Sequence, residues 1–319
     1  MLHSLFVLLL RSREFKMINE MSLEAYEANC FLCGSAKVKR ARDRRPVDFH
    51  KIRYFYKCQS CKGYSLWPKL EDWEIQKLYS ANYIGDVNLD SPPDHEVNMA
   101  RFDKLKKFLT GTENRIEKRF LDYGCGASAE VVILAKNLGF QSFGVEVATE
   151  TRVQASQESG CKIYSPEEIA EGRHEFDIVF LGDLLEHVSN PISILSVAKK
   201  SLRQGGVLVI QGPLEGATTL SNSLVAIKAR LLAGRPSSFP PYHVSLATQL
   251  SIAKMLNAAS LQLILKEITE PLWPAAALGS RESVISLSRF LLSFAKLLDL
   301  AIHKVNKSYG TRFFSIAEK

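Results

Sequence analysis

Two sets of residues in this chain have types and spacings that could do chemistry. Cys30, Cys33, Cys58 and Cys61 form two Cys-x2-Cys pairs with twenty-four residues between them. Four thiolates spaced in this way can close tetrahedrally round Zn2+ at about 2.3 Å. A four-cysteine site leaves no open coordination position, so the metal would hold structure rather than react; unmetallated or redox-active cysteines are the alternatives. The second set is His187, in Gly182-Asp183-Leu184-Leu185-Glu186-His187, and His243, in Pro240-Pro241-Tyr242-His243. Imidazole titrates near neutrality, so either histidine could take a proton from a reacting group. The structural alternatives are a loop-orienting role for His187 and a loop anchor for Tyr242-His243.

A third constellation binds rather than reacts. Phe120 to Gly144 reads as a buried strand ending in Asp122, a turn with Gly124 and Gly126, a helix from about Ser128 to Asn137, and a second strand, Gln141 to Val147. The glycines let the backbone turn sharply and approach a ligand closely. The helix start offers unpaired N–H groups and the positive end of a dipole. Glu146, about twenty residues on, is placed to accept from the two hydroxyls of a ribose. A nucleoside-bearing cofactor follows.

The elements that must position these residues alternate. Beyond the turn, strands near 161–164, 176–181, 207–211 and 261–268 are separated by helices near 191–202, 220–232 and 248–258, which predicts a doubly wound, mostly parallel sheet with both faces covered. Residues 282–305 read as a long amphipathic helix or helix pair, and Arg312 to Ala317 as a terminal strand. Ahead of the sheet, Arg53 to Lys57 reads as a strand entering the second cysteine pair. Glu71 to Tyr79 and Glu96 to Leu109 read as helices, with a Ser91-Pro92-Pro93 linker between them. The expected organisation is a tail (1–21), a zinc-ribbon-like module with a lid (22–90) and an α/β domain (91–319) with a helical excursion at 271–311.

At 319 residues with 46% hydrophobic and 24% charged residues, the chain has the composition of a globular protein with a large core. Its net charge of +7 is concentrated. Between Gly34 and Lys62 ten Lys/Arg oppose two Asp, a local +8, which leaves the remainder near −1. Such a patch could meet a phosphate-bearing or other anionic partner, or simply be solvated. The opening Met1–Lys16 has its basic residues after its apolar run and lacks a small-residue cleavage site, so a frayed tail or initiation at Met17 or Met21 is expected rather than a secretory signal. The expected compartment is the reducing cytoplasm, where disulfides are disfavoured.

Gly124-Cys125-Gly126-Ala127-Ser128-Ala129 also fits a dinucleotide pattern. Three features decide against NAD: Asp122 just before the turn, the Asp183/Glu186/His187 group at a later strand end, and a terminal strand suited to an antiparallel edge. On LDYGCGAS (121–128), Glu146, FDIVFLGDLLEHVSNP (176–191), GGVLVIQGP (205–213) and PYHVS (241–245), the sequence resembles the class I S-adenosylmethionine-dependent methyltransferases. It is closest to the small-molecule branch that includes quinone-biosynthesis enzymes. The Cys-x2-Cys-Gly-Ser knuckle, the second knuckle and Gly63-Tyr64-Ser65-Leu66-Trp67-Pro68 resemble the N-terminal module of bacterial sugar and polysaccharide-associated methyltransferases. The resemblance implies a seven-stranded Rossmann-like sheet with an antiparallel C-terminal strand. It implies that Asp122, Gly124 and Gly126 hold the methionine part of S-adenosylmethionine, that Glu146 takes the ribose, and that Asp183 and Leu184 line the methyl-donor pocket. Ser128, where many members have glycine, could cap the helix.

The favoured function is methyl transfer to an oxygen or carbon atom of a sugar, nucleotide-sugar or lipid-linked glycan precursor. His187, His243 and Tyr242 are the candidates for base work and acceptor binding, and Tyr79 and Tyr83 for a lid over the sulfonium. The rivals are an RNA methyltransferase tracking phosphates with the basic module and a non-catalytic interaction protein of the same fold. The Leu/Phe-rich 282–305 segment could dimerise, dock on a membrane surface, cap the acceptor pocket or pack against the domain.

Overall fold

The computed structural model describes residues 28–78, 102–232, 236–237, 242–271 and 287–319. The expected tail, the Ser91-Pro92-Pro93 linker, the boundary near residue 90 and the lid residues Tyr79 and Tyr83 lie outside them.

The N-terminal module is built from β1 (Val38–Arg40), β2 (Val47–Phe49), β3 (Lys51–Cys58) and β4 (Tyr64–Trp67), all antiparallel, followed by the short α1 (Asp72–Leu78). A network under β3 fixes its end. Arg53 is fully buried and donates to the Glu74 carboxylate (2.5 Å) and to the main-chain oxygens of Phe49 and Pro68. A buried guanidinium survives only when paired and hydrogen-bonded in this way.

Helix α2 (Asp103–Thr110) leads into the larger sheet. Along the chain this contains β5 (Arg119–Tyr123), α3 (Glu130–Asn137), β6 (Gln141–Val145), α4 (Thr149–Ser159), β7 (Ile163–Tyr164), α5 (Pro166–Glu171), β8 (Phe176–Gly182), α6 (Pro191–Ser201) and β9 (Leu202–Pro213). There follow α7 (Leu220–Leu231), β10 (Ser245–Leu246), α8 (Gln249–Ala258), β11 (Gln262–Thr269), α9 (Leu287–Val305) and β12 (Arg312–Glu318). The order across the sheet is β11-β12-β9-β8-β5-β6-β7, parallel from β9 to β7, with β12 inserted antiparallel to both of its neighbours. This is the expected doubly wound seven-stranded fold. The direction of winding reverses between β5 and β8, and such a switch point opens a crevice at the carboxyl ends of the strands.

The two sheets share one core. Cys30, Cys58 and Cys61 belong to the same buried cluster as Leu121, Val179, Leu208 and Ile252. β10, from the C-terminal half, pairs antiparallel with β4 and completes the small sheet. The small sheet therefore takes one strand from the C-terminal half of the chain. Thr248 Oγ1 donates to the Cys61 main-chain oxygen (2.7 Å), and the Leu66 N–H to that of Val244 (2.8 Å).

Two expectations need correction. Helix α4 is absent from the sequence reading because its segment, TETRVQASQES, has no apolar face, and only Ala155 and Ser159 are buried. Helix α3 begins at Glu130, not Ser128, and Ser128 does not cap it: Ala129, at φ +44, takes the N-cap position without a side-chain hydrogen bond.

Candidate active site

Every parallel strand delivers its carboxyl end to one edge, and the candidate residues gather there. Asp122 is the penultimate residue of β5, buried and registered between Gly144 and Phe180. The turn that follows has Gly124 at φ +91 and Gly126 at φ +63, a region in which a side chain is strained. A Cβ on Gly124 would stand 3.0 Å from Leu184 Cδ1. The loop after β8 thus presses on the glycine turn and leaves room for backbone alone. Gly126 faces open space, and its N–H donates to Glu146 Oε2 (3.1 Å). The other Glu146 oxygen accepts from the N–H groups of Val147 and Ala148 (2.8 and 3.3 Å). The carboxylate is held at the end of β6 before any ligand arrives, beside an uncapped helix start.

Asp183 and Leu184 are adjacent but do different things. Leu184 covers the turn, whereas the Asp183 carboxylate forms an ion pair with Arg312, the first residue of β12. Cys125 packs against Ala129, Val132 and Ala155 on the other side of the turn, and burial pushes its thiol pKa up.

The second half of the site is a cluster of histidines and acids. The loop after β8 lies against segment 242–246, with the N–H groups of Val244 and Ser245 donating to the Glu186 main-chain oxygen (2.8 and 3.1 Å). This contact brings the expected pair together: the His187 and His243 rings lie 4.8 Å apart, edge to face. His187 Nδ1 is 2.8 Å from the main-chain oxygen of Tyr242, and His243 Nδ1 is 2.7 Å from Glu215 Oε2. Glu186 is buried beside them, and ligand atoms of Glu186, His187 and His243 lie within 4.8 Å of one another.

These surroundings set opposite charge states. Burial, reinforced by His243, lowers the His187 pKa to about 4, so the ring is neutral at pH 7. Burial lowers that of His243 too, but the Glu215 hydrogen bond and charge outweigh it and raise it to about 9. Burial and the nearby Asp183 raise Glu186 to about 8. A carbonyl only accepts, so Nδ1 of His187 carries the proton and Nε2 carries the lone pair.

Tyr242 contributes its carbonyl, and its partly buried ring packs against the module's Phe31, Leu66 and Leu70 cluster. Glu215 and Arg312 are the residues the sequence reading did not select. Neither belongs to a motif: Glu215 is recognisable only by its contact with His243, and Arg312 only when β12 lies beside β9. Both line a cleft of about 230 Å³ between α7 and α9, together with Pro213, Val225, Leu292 and Lys296. A larger hollow of about 830 Å³, lined by residues 110–117 and 137–139, lies at the opposite sheet edge, away from this chemistry.

The four cysteines also come together. Sγ of Cys30 is 3.4 Å from that of Cys61, and Sγ of Cys33 is 3.7 Å from that of Cys58. All four sulfurs lie within 4.8 Å of one another. The Cys58 sulfur accepts from the N–H groups of Ser60 and Cys61 (3.3 and 3.4 Å), as a thiolate at a knuckle would. The basic stretch, by contrast, is largely committed to the fold. Arg53 is buried, Arg44 donates to the Glu215 main-chain oxygen, Arg45 to that of Pro236, Lys51 pairs with Glu71, and Arg40 stacks over Tyr54.

The fold and this site define a class I S-adenosylmethionine-dependent methyltransferase. Residues 94–266 match the methyltransferase domain family, and the chain belongs to it. It is similar to the ubiquinone biosynthesis O-methyltransferase of Xanthomonas campestris pv. campestris, 26% identical over 66% of this chain and 90% of that protein. It is also similar to that of Ruegeria sp., 30% identical over 39% of this chain and 56% of that protein. Among solved structures, magnesium protoporphyrin IX methyltransferase from Synechocystis PCC 6803 shares the fold over 78% of this chain and all of that one, with 11% identity and a TM-score of 0.53.

Proposed function

We propose that this chain methylates a hydroxyl oxygen of a small molecule, with His187 as general base. The observation that carries this is the Tyr242 carbonyl at His187 Nδ1, beside a His243 already held protonated by Glu215. Of the two histidines, only His187 can accept a proton at neutral pH.

The glycine turn fits the cofactor. Gly124 admits only backbone, Gly126 opens on free space, and Glu146 is held in place by three N–H groups. A carboxylate offers about four acceptor positions, so Glu146 retains capacity for a ribose hydroxyl. Asp122 and the glycine backbone would hold the methionine part, and Leu184 would wall the methyl. When bound, S-adenosylmethionine supplies an electrophilic methyl on a sulfonium. The chain must hold the acceptor oxygen about 3–3.5 Å from it and in line. His187 Nε2 takes the hydroxyl proton as the new bond forms. The His243–Glu215 pair orients the acceptor from the other side, and the cleft between α7 and α9 receives the rest of it.

The cysteine cluster fits a structural zinc. Tetrahedral Zn–S bonds of about 2.3 Å put the sulfurs about 3.8 Å apart, close to the two separations seen. Cys30, Cys33, Cys58 and Cys61 would hold the ion. Sugars, nucleotide-sugars and lipid-linked glycan precursors remain the acceptor classes to test. The RNA reading loses force because five of the ten basic residues it would use, Arg40, Arg44, Arg45, Lys51 and Arg53, are engaged with carbonyls, carboxylates or a ring. A titration with S-adenosylmethionine followed by a methyl-label transfer screen across these acceptors and RNA tests the proposal. Absence of cofactor binding overturns it, as does label appearing in RNA alone.

A further inference from the structure

Helix α9 is amphipathic in the inverted sense. Two charged residues in its middle face the protein: Asp299 is 0% and Lys296 5% exposed. Asp299 accepts from the N–H groups of Leu220 and Ser221 at the start of α7 (2.9 and 3.0 Å) and from the Tyr309 hydroxyl. Lys296 is ion-paired with Glu270 and donates to Thr311 Oγ1 (2.9 Å). These bonds fix the rotation of α9 about its axis. The opposite face is turned to solvent, with Phe294 53%, Leu297 55% and Val305 91% exposed, and Phe290, Leu298 and Ile302 beside them. On the neighbouring α7, Val225, Ile227 and Leu231 are exposed as well. An apolar row of this length on the outside of a protein marks a docking surface.

Charge decides what docks. Lys228 and Arg230 on α7, and Lys304 and Lys307 at the end of α9, are exposed. The only acid in the described residues of the two helices is the buried Asp299. A second copy meeting this face about a two-fold axis would set these cations against their own equivalents. An anionic lipid surface would instead neutralise them while its acyl region takes the apolar row. The cleft carrying Glu215 and Arg312 lies between the same two helices. We propose that the α7–α9 face seats the protein on an anionic membrane surface, so that the cleft meets a lipid-borne acceptor at the interface.

The test is flotation of the full chain with vesicles of phosphatidylcholine alone or mixed equally with phosphatidylglycerol, alongside size-exclusion chromatography. The expected result is binding to the mixed vesicles, weak binding to the neutral ones, and a monomer in their absence. Phe294→Ser with Leu297→Ser should abolish flotation, and Lys228→Gln with Lys304→Gln should weaken it about fivefold per charge removed. All four positions are outside the cofactor site, so S-adenosylmethionine affinity is the folding control. Vesicle binding needs neither acceptor nor turnover, so its failure is separable from failure of the proposed reaction. Equal binding to both vesicle types, none to either, or a dimer dispersed by Phe294→Ser overturns the proposal.

Discussion

His187 Nδ1 and the main-chain oxygen of Tyr242 lie 2.8 Å apart, across fifty-five residues of sequence. The contact fixes the tautomer and aims Nε2, as a lone-pair acceptor, away from the carbonyl. His187→Ala should lower kcat by about 10²–10⁴-fold and leave cofactor affinity unchanged. Single-turnover rates and a cofactor titration on the same variant separate the two effects. Full turnover in His187→Ala would remove this residue as the base.

The neighbouring pair has a pH signature of opposite sign. His243 is raised from 6.5 to about 9, so the stability it contributes is fully present below pH 6.5 and is lost as pH rises through 9. His187 is lowered from 6.5 to about 4, so its contribution is present above pH 6.5 and is lost as pH falls through 4. Unfolding midpoints across pH should therefore decline on both sides. Glu215→Gln should flatten the alkaline side, because it removes the carboxylate that holds the His243 proton.

Gly124 and Leu184 make a steric prediction. Gly124→Ala adds a Cβ at φ +91 and 3.0 Å from Leu184 Cδ1. The left-handed backbone costs about 1–2 kcal/mol, and relief of the clash must push the loop after β8 off the turn. Calorimetry should show weakened S-adenosylmethionine binding. Gly124→Ala combined with Leu184→Ala should recover only part of it, because the second change removes the clash but not the backbone strain.

The glycine turn, Glu146 and the cysteine pairs were legible because each lies within about thirty residues of chain, at a spacing that one strand–turn–helix–strand unit or a pair of knuckles imposes. The alternation of apolar strands and amphipathic helices likewise carried the doubly wound, mostly parallel sheet, though not its strand order. Glu215 and Arg312 had no such signal. Their roles arise from long-range contacts: Arg312 reaches Asp183 because β12 is inserted beside β9, and Glu215, after β9, meets His243 from the segment before β10. What Tyr242 contributes was not legible either: its carbonyl meets His187 across fifty-five residues of sequence, and its partly buried ring packs against the module's apolar cluster. Helix α4 escaped because periodicity detects a buried stripe and this helix buries almost none.

The pairing of β4 with β10 makes the cysteine cluster a support for the distant histidines. Cys61 is followed closely by β4; the main chain of Val244 and Ser245 joins β4 to the Glu186 carbonyl, and His243 stands at the start of that segment. Thr248 ties the same segment to Cys61. Zinc should therefore be present at one ion per chain by elemental analysis. Its removal by a chelator, or Cys58→Ser, should act on the acceptor side of the site and much less on the cofactor side. A displacement of His243 by about 1 Å costs on the order of 10²-fold in rate, so kcat/KM for the acceptor should fall by that order. Glu146 and the glycine turn sit on β5 and β6, away from the β4–β10 pair, so S-adenosylmethionine affinity should change little. Equal loss of both would mean that the module supports the whole fold rather than the placement of His243.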